Sequence, residues 1–211
     1  MFENVLTENA RKNLEILKDF DFINDFYLAG GTGSCLWFGH RSSKDLDFFS
    51  YEDFKPSRLR DVLKENGVLS VENINKGTFT GEFNNTMMSF FHYPYPLIKE
   101  KIEFKGVYIA NWADIACMKI DSISSRGKKR DFIDLYFIIK KEKVSLENII
   151  DWFKIKYKEV RFNIVHVIKS LSFFEDANND PMPEMLIDID WDKIKEFFIT
   201  ESNKILSNKI Y

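Results

Sequence analysis

The chain has 211 residues and a mass of 25.0 kDa, with 45% hydrophobic and 30% charged residues, which fits one soluble domain, or one domain with a helical appendage, and buries a core without staples. Its 30 Lys+Arg nearly cancel its 33 Asp+Glu, and a net charge of −3 excludes non-specific coating of DNA but not a local basic patch. The 21 Phe exclude disorder, because disordered chains are poor in aromatics. Cys35 and Cys117 make neither a disulfide framework nor a Cys-rich zinc site. There is no basic–apolar–small pattern of a signal peptide and no apolar run of about 18–20 residues. The expectation is a cytoplasmic protein with reduced thiols and no membrane association.

In chain order, Phe2 to Phe20 has apolar residues at helical spacing among charges. Phe26 to Ala29 is a short apolar run ending in Gly30-Gly31, which predicts a buried strand and a tight turn, with Thr32 capping the next helix. Asp45 to Phe49 alternates like a strand with one wet face. Pro56 to Asn66 predicts a helix stopped by Gly67. Val68 to Asn73, Thr78 to Phe83 and Thr86 to Phe91 read as strands joined by Asn/Gly turns, and Ile102 to Phe104 with Val107 to Ile109 as a last hairpin. Helices are expected at Ala113–Ser124, Asp131–Lys140, Leu146–Tyr157 (capped by Ser145), Phe162–Phe174 and Trp191–Ser202. This is an α+β chain: 1–110 forms a mixed sheet with flanking helices, and 111–211 forms a helical region packed on it.

The strongest local signal is Gly30-Gly31-Thr32 followed by Asp45-Leu46-Asp47. Paired glycines after a strand allow close backbone approach to a ligand, and a helix start aims free N–H groups at an anion. Asp45 and Asp47, two apart on a strand, share a face and make a ready Mg²⁺ site beside phosphate oxygens. Separately, a Gly-Gly is usually a turn and an Asp-x-Asp strand an exposed face. Together they fit transfer of a nucleotide or phosphate group.

These residues resemble the signature of the AbiEii/AbiGii-type nucleotidyltransferases, minimal members of the DNA polymerase β-like superfamily. The quoted stretches are Leu28-Ala29-Gly30-Gly31-Thr32 and His40-Arg41-Ser42-Ser43-Lys44-Asp45-Leu46-Asp47-Phe48-Phe49. Ser89 to Ile98, Asp114 to Ile120 and Arg126 to Leu135 continue the resemblance in the right order, over about residues 25 to 140. It implies a polymerase β-like core, a nucleoside triphosphate substrate and Mg²⁺. Gly30, Gly31 and Thr32 would hold the triphosphate, Asp45 and Asp47 the metal. Lys119 would contact the triphosphate, or is a solvated helix residue. Asp134 would act as base or orienting group. Arg130 either contacts phosphate or pairs with Asp134 at i,i+4. Arg41 either reaches a phosphate or orients Asp45 or Asp47. Polymerase β-like enzymes usually carry a third carboxylate on a later strand, where this chain has Ser89; the family it resembles often lacks that carboxylate, Glu103 is a weak substitute, and Asp134 is the candidate for activating the attacking hydroxyl.

Arg126, Lys128, Lys129 and Arg130 form a basic run that suits RNA backbone or triphosphate, or a solvated loop. Glu175 to Asp192 carries seven acids and no Lys or Arg, and reads as solvated or partner-facing. His40 flanks the site, and His166, on an apolar stretch, is expected in the core. The resemblance suggests a toxin with RNA such as tRNA as acceptor and an antitoxin as partner. A nucleotidyltransferase acting on a small molecule or protein, and an inactive nucleotide-binding module, are the rivals.

Overall fold

The computed structural model describes residues 1–208. The strands are β1 (Tyr27–Leu28), β2 (Leu46–Ser50), β3 (Leu69–Asn75), β4 (Thr78–Phe83), β5 (Thr86–His92), β6 (Ile102–Phe104) and β7 (Val107–Ile109). They form one mixed sheet in the order β3-β4-β5-β2-β1-β7-β6, parallel at β2/β5 and β1/β7 and antiparallel elsewhere. The helices are α1 (Glu8–Leu17), α2 (Gly30–Phe38), α3 (Pro56–Asn66), α4 (Trp112–Arg126), α5 (Lys129–Glu142), α6 (Leu146–Lys156), α7 (Ile164–Ser170), α8 (Glu175–Asn179) and α9 (Trp191–Asn208). No helix among the described residues is long and apolar enough to cross a membrane.

The period of two along the strands sorts the two faces of the sheet. Leu46 and Phe48 of β2, Met88 and Phe90 of β5, and Phe79 and Phe83 of β4 are buried in one core with Leu14 and Leu17 of α1 and Leu59 and Leu63 of α3. Phe90 is its aromatic hub, stacked on Phe48 at 4.9 Å and met edge-on by Phe26 at 5.2 Å. The alternate positions, Asp47 and Phe49 on β2 with Ser89 and Phe91 on β5, belong to the opposite face. The second core gathers apolar residues of α4 to α7 and α9, with Phe132 packed on Phe174 at 5.0 Å and Phe198 at 5.5 Å. The Phe excess therefore fills a core on each face of the sheet. The β4–β5 turn places Asn84 and Asn85 at φ 45° and 60°, the left-handed pair that a two-residue hairpin turn needs.

Three sequence expectations change. The first helix is shorter: a 3₁₀ turn at Glu3–Val5 precedes α1, whose cap is Thr7, accepting from the Ala10 N–H at 3.2 Å. Phe162–Phe174 shrinks to α7, capped by Asn163, and α8 follows within the acidic stretch. His166, expected in the core, is exposed, because Val167 and Ile168 supply the buried side of α7.

A buried ion pair ties the segment after β5 to the helices. Lys156 Nζ donates to Asp114 at 2.8 Å and to the Pro96 carbonyl at 2.9 Å, and Asp114 also accepts from the Ile98 and Lys99 amides. Lys156→Met would keep most of the packing and leave Asp114 its two amide donors. Urea unfolding should then show a loss of about 3–5 kcal/mol.

Candidate active site

Strand β1 runs straight into α2. Gly30 begins the helix at φ +60°, and the first intrahelical bond is Gly33 N–H to the Ala29 carbonyl at 2.8 Å. The N–H groups of Gly30, Gly31 and Thr32 thus have no intrahelical acceptor, and Ala29 in the cap position has no side chain to take them. Such a helix start is an anion site. Thr32 is not the cap expected from sequence; it is the third helical residue. Its buried hydroxyl donates to the Asp45 carbonyl and lies 2.7 Å from Ser43 Oγ, so it fastens α2 to the 43–45 segment and leaves only its amide for a phosphate.

Both glycines are required by what lies beside them. A Cβ on Gly30 would stand 3.0 Å from Asp47 Oδ2, and one on Gly31 would stand 2.7 Å from Arg41 Nη2. Arg41 cannot swing aside cheaply, because its guanidinium is clamped on Asp134. Gly31→Ala is therefore expected to cost at least about tenfold in nucleotide affinity by calorimetry, a displaced phosphate cradle losing roughly 1.4 kcal/mol or more, while the fold survives.

One cavity of about 520 Å³ is lined by Gly30, Gly31, Thr32, Arg41, Asp45, Asp47, Lys119 and Arg130, which is every residue chosen from sequence for metal or nucleotide except Asp134. A larger groove of about 840 Å³, between Phe20–Phe26 and Asp53–Val62, contains none of them. Asp47 is the second residue of β2; Asp45 lies just before the strand, a small correction to the expected Asp45–Phe49 strand. Burial, followed by the charge of Asp45, raises the Asp47 pKa above the ordinary carboxylate value, while the Ser89 hydroxyl, Lys119 and Arg130 oppose the rise. Among the described residues neither carboxylate is in an ion pair. Two adjacent acids without a direct counter-charge, facing a cradle of amides, fit a divalent cation that also meets phosphate oxygens.

Ser89 sits directly beside Asp47 in the parallel β2/β5 register, so the position expected for a third carboxylate is a hydroxyl. Glu103 does not replace it: β6 is the far edge strand, with β1 and β7 between it and β2, and Glu103 is outside the cavity.

Asp134 is fully buried beneath this cavity. It accepts Arg41 Nε and Nη2 at 2.8 Å each, His40 Nε2 at 2.7 Å and Lys119 Nζ at 2.6 Å. Burial pushes its pKa up, but Arg41, Lys119 and the His40 hydrogen bond outweigh that and hold it well below the ordinary range. A saturated, ionised carboxylate with no open face is not a proton acceptor for substrate. Of the two roles expected for Asp134, orienting is the one the geometry supports, and the base is not. The expected Arg130–Asp134 pair is also absent; Arg130 is exposed on the cavity wall. Arg41 orients on Asp134 and not on Asp45 or Asp47.

Lys119, on α4, is buried and paired with both Asp134 and Asp131, at 2.8 Å to the latter. Burial disfavours its charge, yet the two carboxylates raise its pKa. It is not a solvated helix residue. The ligand atoms of Cys35, His40 and Asp134 also lie within 4.8 Å of one another. With Arg41 and Lys119 already on the same carboxylate, a further cation there would face two positive charges, so the trio is packing, not a metal centre.

The basic run divides. Lys128 pairs with Asp180 at 3.2 Å, and Lys129 donates its backbone N–H to the same carboxylate at 2.9 Å. Arg126 lies 3.2 Å from Asp131 and, with Arg130, reaches the cavity. The acidic stretch is accordingly not just a solvated tail. Asp180 pairs with Lys128, Glu184 accepts Ser42 Oγ at 2.8 Å, and Met185 forms a β-bridge with Arg41. Leu186 donates its N–H to the His40 carbonyl at 2.9 Å. Sequence reasoning missed this latch, and it missed Asp121, Ser122, His92 and Tyr93 on the cavity wall. The spacing of Met118, Lys119, Ser122 and Arg126 on α4 is the signal that could have found the wall.

Residues 86–206 match the family described as nucleotidyl transferase AbiEii toxin, type IV TA system. The protein aq_aa25 of Aquifex aeolicus (strain VF5) is 37% identical over 210 residues, covering 96% of this chain and 98% of that one. Two solved Helicobacter pylori structures share the fold. A candidate nucleotidyltransferase has 18% identity and a TM-score of 0.53 over 94% of this chain and 92% of that one; JHP933 has 16% and 0.52 over 98% and 91%. The chain belongs to the AbiEii nucleotidyltransferase toxin family.

Proposed function

We propose that the chain transfers a nucleoside monophosphate from a nucleoside triphosphate to an RNA hydroxyl, with tRNA as the leading acceptor, using Mg²⁺ and releasing pyrophosphate. The observation that carries this reading is the shared cavity: unpaired helix-start amides, a carboxylate pair and four cationic side chains line one 520 Å³ space. In the assignment, the amides of Gly30, Gly31 and Thr32 hold the β- and γ-phosphates, and Arg41, Lys119 and Arg130 spread positive charge over them. Asp45 and Asp47 hold Mg²⁺, which would polarise the α-phosphate and neutralise the leaving pyrophosphate. Asp134 holds Arg41 and Lys119 in place. The core of 1–110 supplies the amides and carboxylates, and the helical region of 111–211 supplies Lys119 and Arg130. The family description supports a toxin countered by an antitoxin.

Incubation with each α-labelled triphosphate, Mg²⁺ and total RNA tests the reading. Label entering RNA, and lost on omission of Mg²⁺, supports it. Label entering only protein or small molecules turns the acceptor to the second reading. One observation favours that second reading: Lys128 pairs with the Asp180 carboxylate and Lys129 is buried with its Nζ on the Asp180 carbonyl, which leaves Arg126 and Arg130 as the run's cations at the cavity.

A further inference from the structure

The transfer releases a proton from the attacking hydroxyl, and the residues expected to receive it are not placed to do so. Ser89 has no carboxylate, Glu103 lies on β6 with two strands between it and β2, and Asp134 is saturated by three side chains. Asp45 and Asp47 are committed to the cation. Among the residues lining the cavity, Asp121 is the one carboxylate left.

Asp121 is on α4, two residues after Lys119, on the helical wall that faces the sheet carrying Asp47 and Ser89. Its carbonyl accepts the Ser124 and Ser125 hydroxyls, but among the described residues its carboxylate takes no hydrogen bond and makes no ion pair. The side chain is open to the cavity, yet the surrounding wall desolvates it and raises its pKa, with Arg126 pulling the other way. The remaining groups on its side are the phenols of Tyr93 and Tyr157, whose hydroxyls bond to each other. The cavity is also lined by Arg130, Lys119, Asp45, Asp47 and His92. The fully buried acids Asp114, Asp131 and Asp134 are all paired. Asp121, exposed on the cavity wall, is unpaired among the described residues.

We propose that Asp121 is the proton acceptor for the transfer: its carboxylate takes the proton of the acceptor hydroxyl as that oxygen bonds to the α-phosphorus and the bond to the pyrophosphate oxygen breaks. The proton ends on Asp121, the electron pair on pyrophosphate, and water later reclaims the proton. The inference rests on the transfer chemistry proposed above, but not on RNA as acceptor.

The test uses the full chain and Asp121→Asn, Asp121→Glu and His92→Gln. Calorimetry with a non-hydrolysable α,β-methylene triphosphate and Mg²⁺ should show binding by Asp121→Asn within about twofold of wild type. Single-turnover transfer should fall about 10²–10⁴-fold, and the rising acidic limb of its pH profile should disappear. Asp121→Glu should restore part of the rate, and His92→Gln should keep the limb. A rate within threefold of wild type, a loss confined to nucleotide affinity, or a limb that vanishes in His92→Gln instead would overturn the proposal. If wild type labels no RNA, the RNA reading fails, and the same variants are read in slow hydrolysis of the triphosphate to monophosphate and pyrophosphate, where water replaces the acceptor. An Asp121→Asn chain that hydrolyses like wild type overturns the base.

Discussion

Asp45→Asn or Asp47→Asn should abolish nucleotidyl transfer, with a loss on the order of 10³-fold or more in a labelled-triphosphate assay. Asn matches the shape of Asp but brings no charge to hold a cation against the phosphates. The stability of the same variants is expected to move the other way. Burial and Asp45 raise the Asp47 pKa, so at neutral pH its ionised form opposes folding, and the metal-free wild type should gain stability as pH falls through that raised value. Asp47→Asn should therefore melt slightly higher than wild type in a chelator at pH 7. Added Mg²⁺ should raise the melting temperature of wild type and not of the variant. If both respond equally, the cation is held elsewhere.

Asp134→Asn should be the most destabilising single change near the site. It leaves Arg41 and Lys119 buried with half their counter-charge, a change that usually costs about 3–5 kcal/mol. Thermal melting should fall by roughly 6–20 °C for a chain of this size. The pH dependence distinguishes this from simple cavity formation. The folded Asp134 carboxyl lies well below its unfolded value of about 3.9. Its contribution is complete above that value and is lost as pH falls through the folded pKa. Wild type should lose stability in acid along this path, and Asp134→Asn should lose much less.

Local chemistry explains what the sequence revealed. Gly30-Gly31, Asp45/Asp47 and the Asn84-Asn85 turn each act through residues close in the chain, so backbone conformation and strand period suffice to place them. Pro56–Asn66 and Thr78–Phe83 were likewise legible from their caps and turns. The hub was not. Asp134 meets His40 and Arg41 across more than ninety residues, and no periodicity reports such a pairing. Arg130–Asp134 had ideal helical spacing, yet Asp134 turned inward to stronger partners. His166 lay on an apolar stretch, but which face of α7 is buried is decided by its neighbours. Thr32 had the chemistry of a cap; with Gly30 at positive φ the helix starts three residues earlier, capped by Ala29.

The acidic latch gives the site an order of assembly. The loop carrying His40 and Arg41 is closed by Glu184, Met185 and Leu186, and Asp134 comes from between them. Ribosomes add about 5–20 residues per second, so the amide cradle emerges roughly 10–30 s before the strand segment that braces it. Through that interval the nascent chain carries Gly30, Gly31, Asp45 and Asp47 without the contacts of Glu184, Met185 and Leu186. A chain ended before Glu184 would carry every signature residue and none of the contacts that close the His40–Arg41 loop.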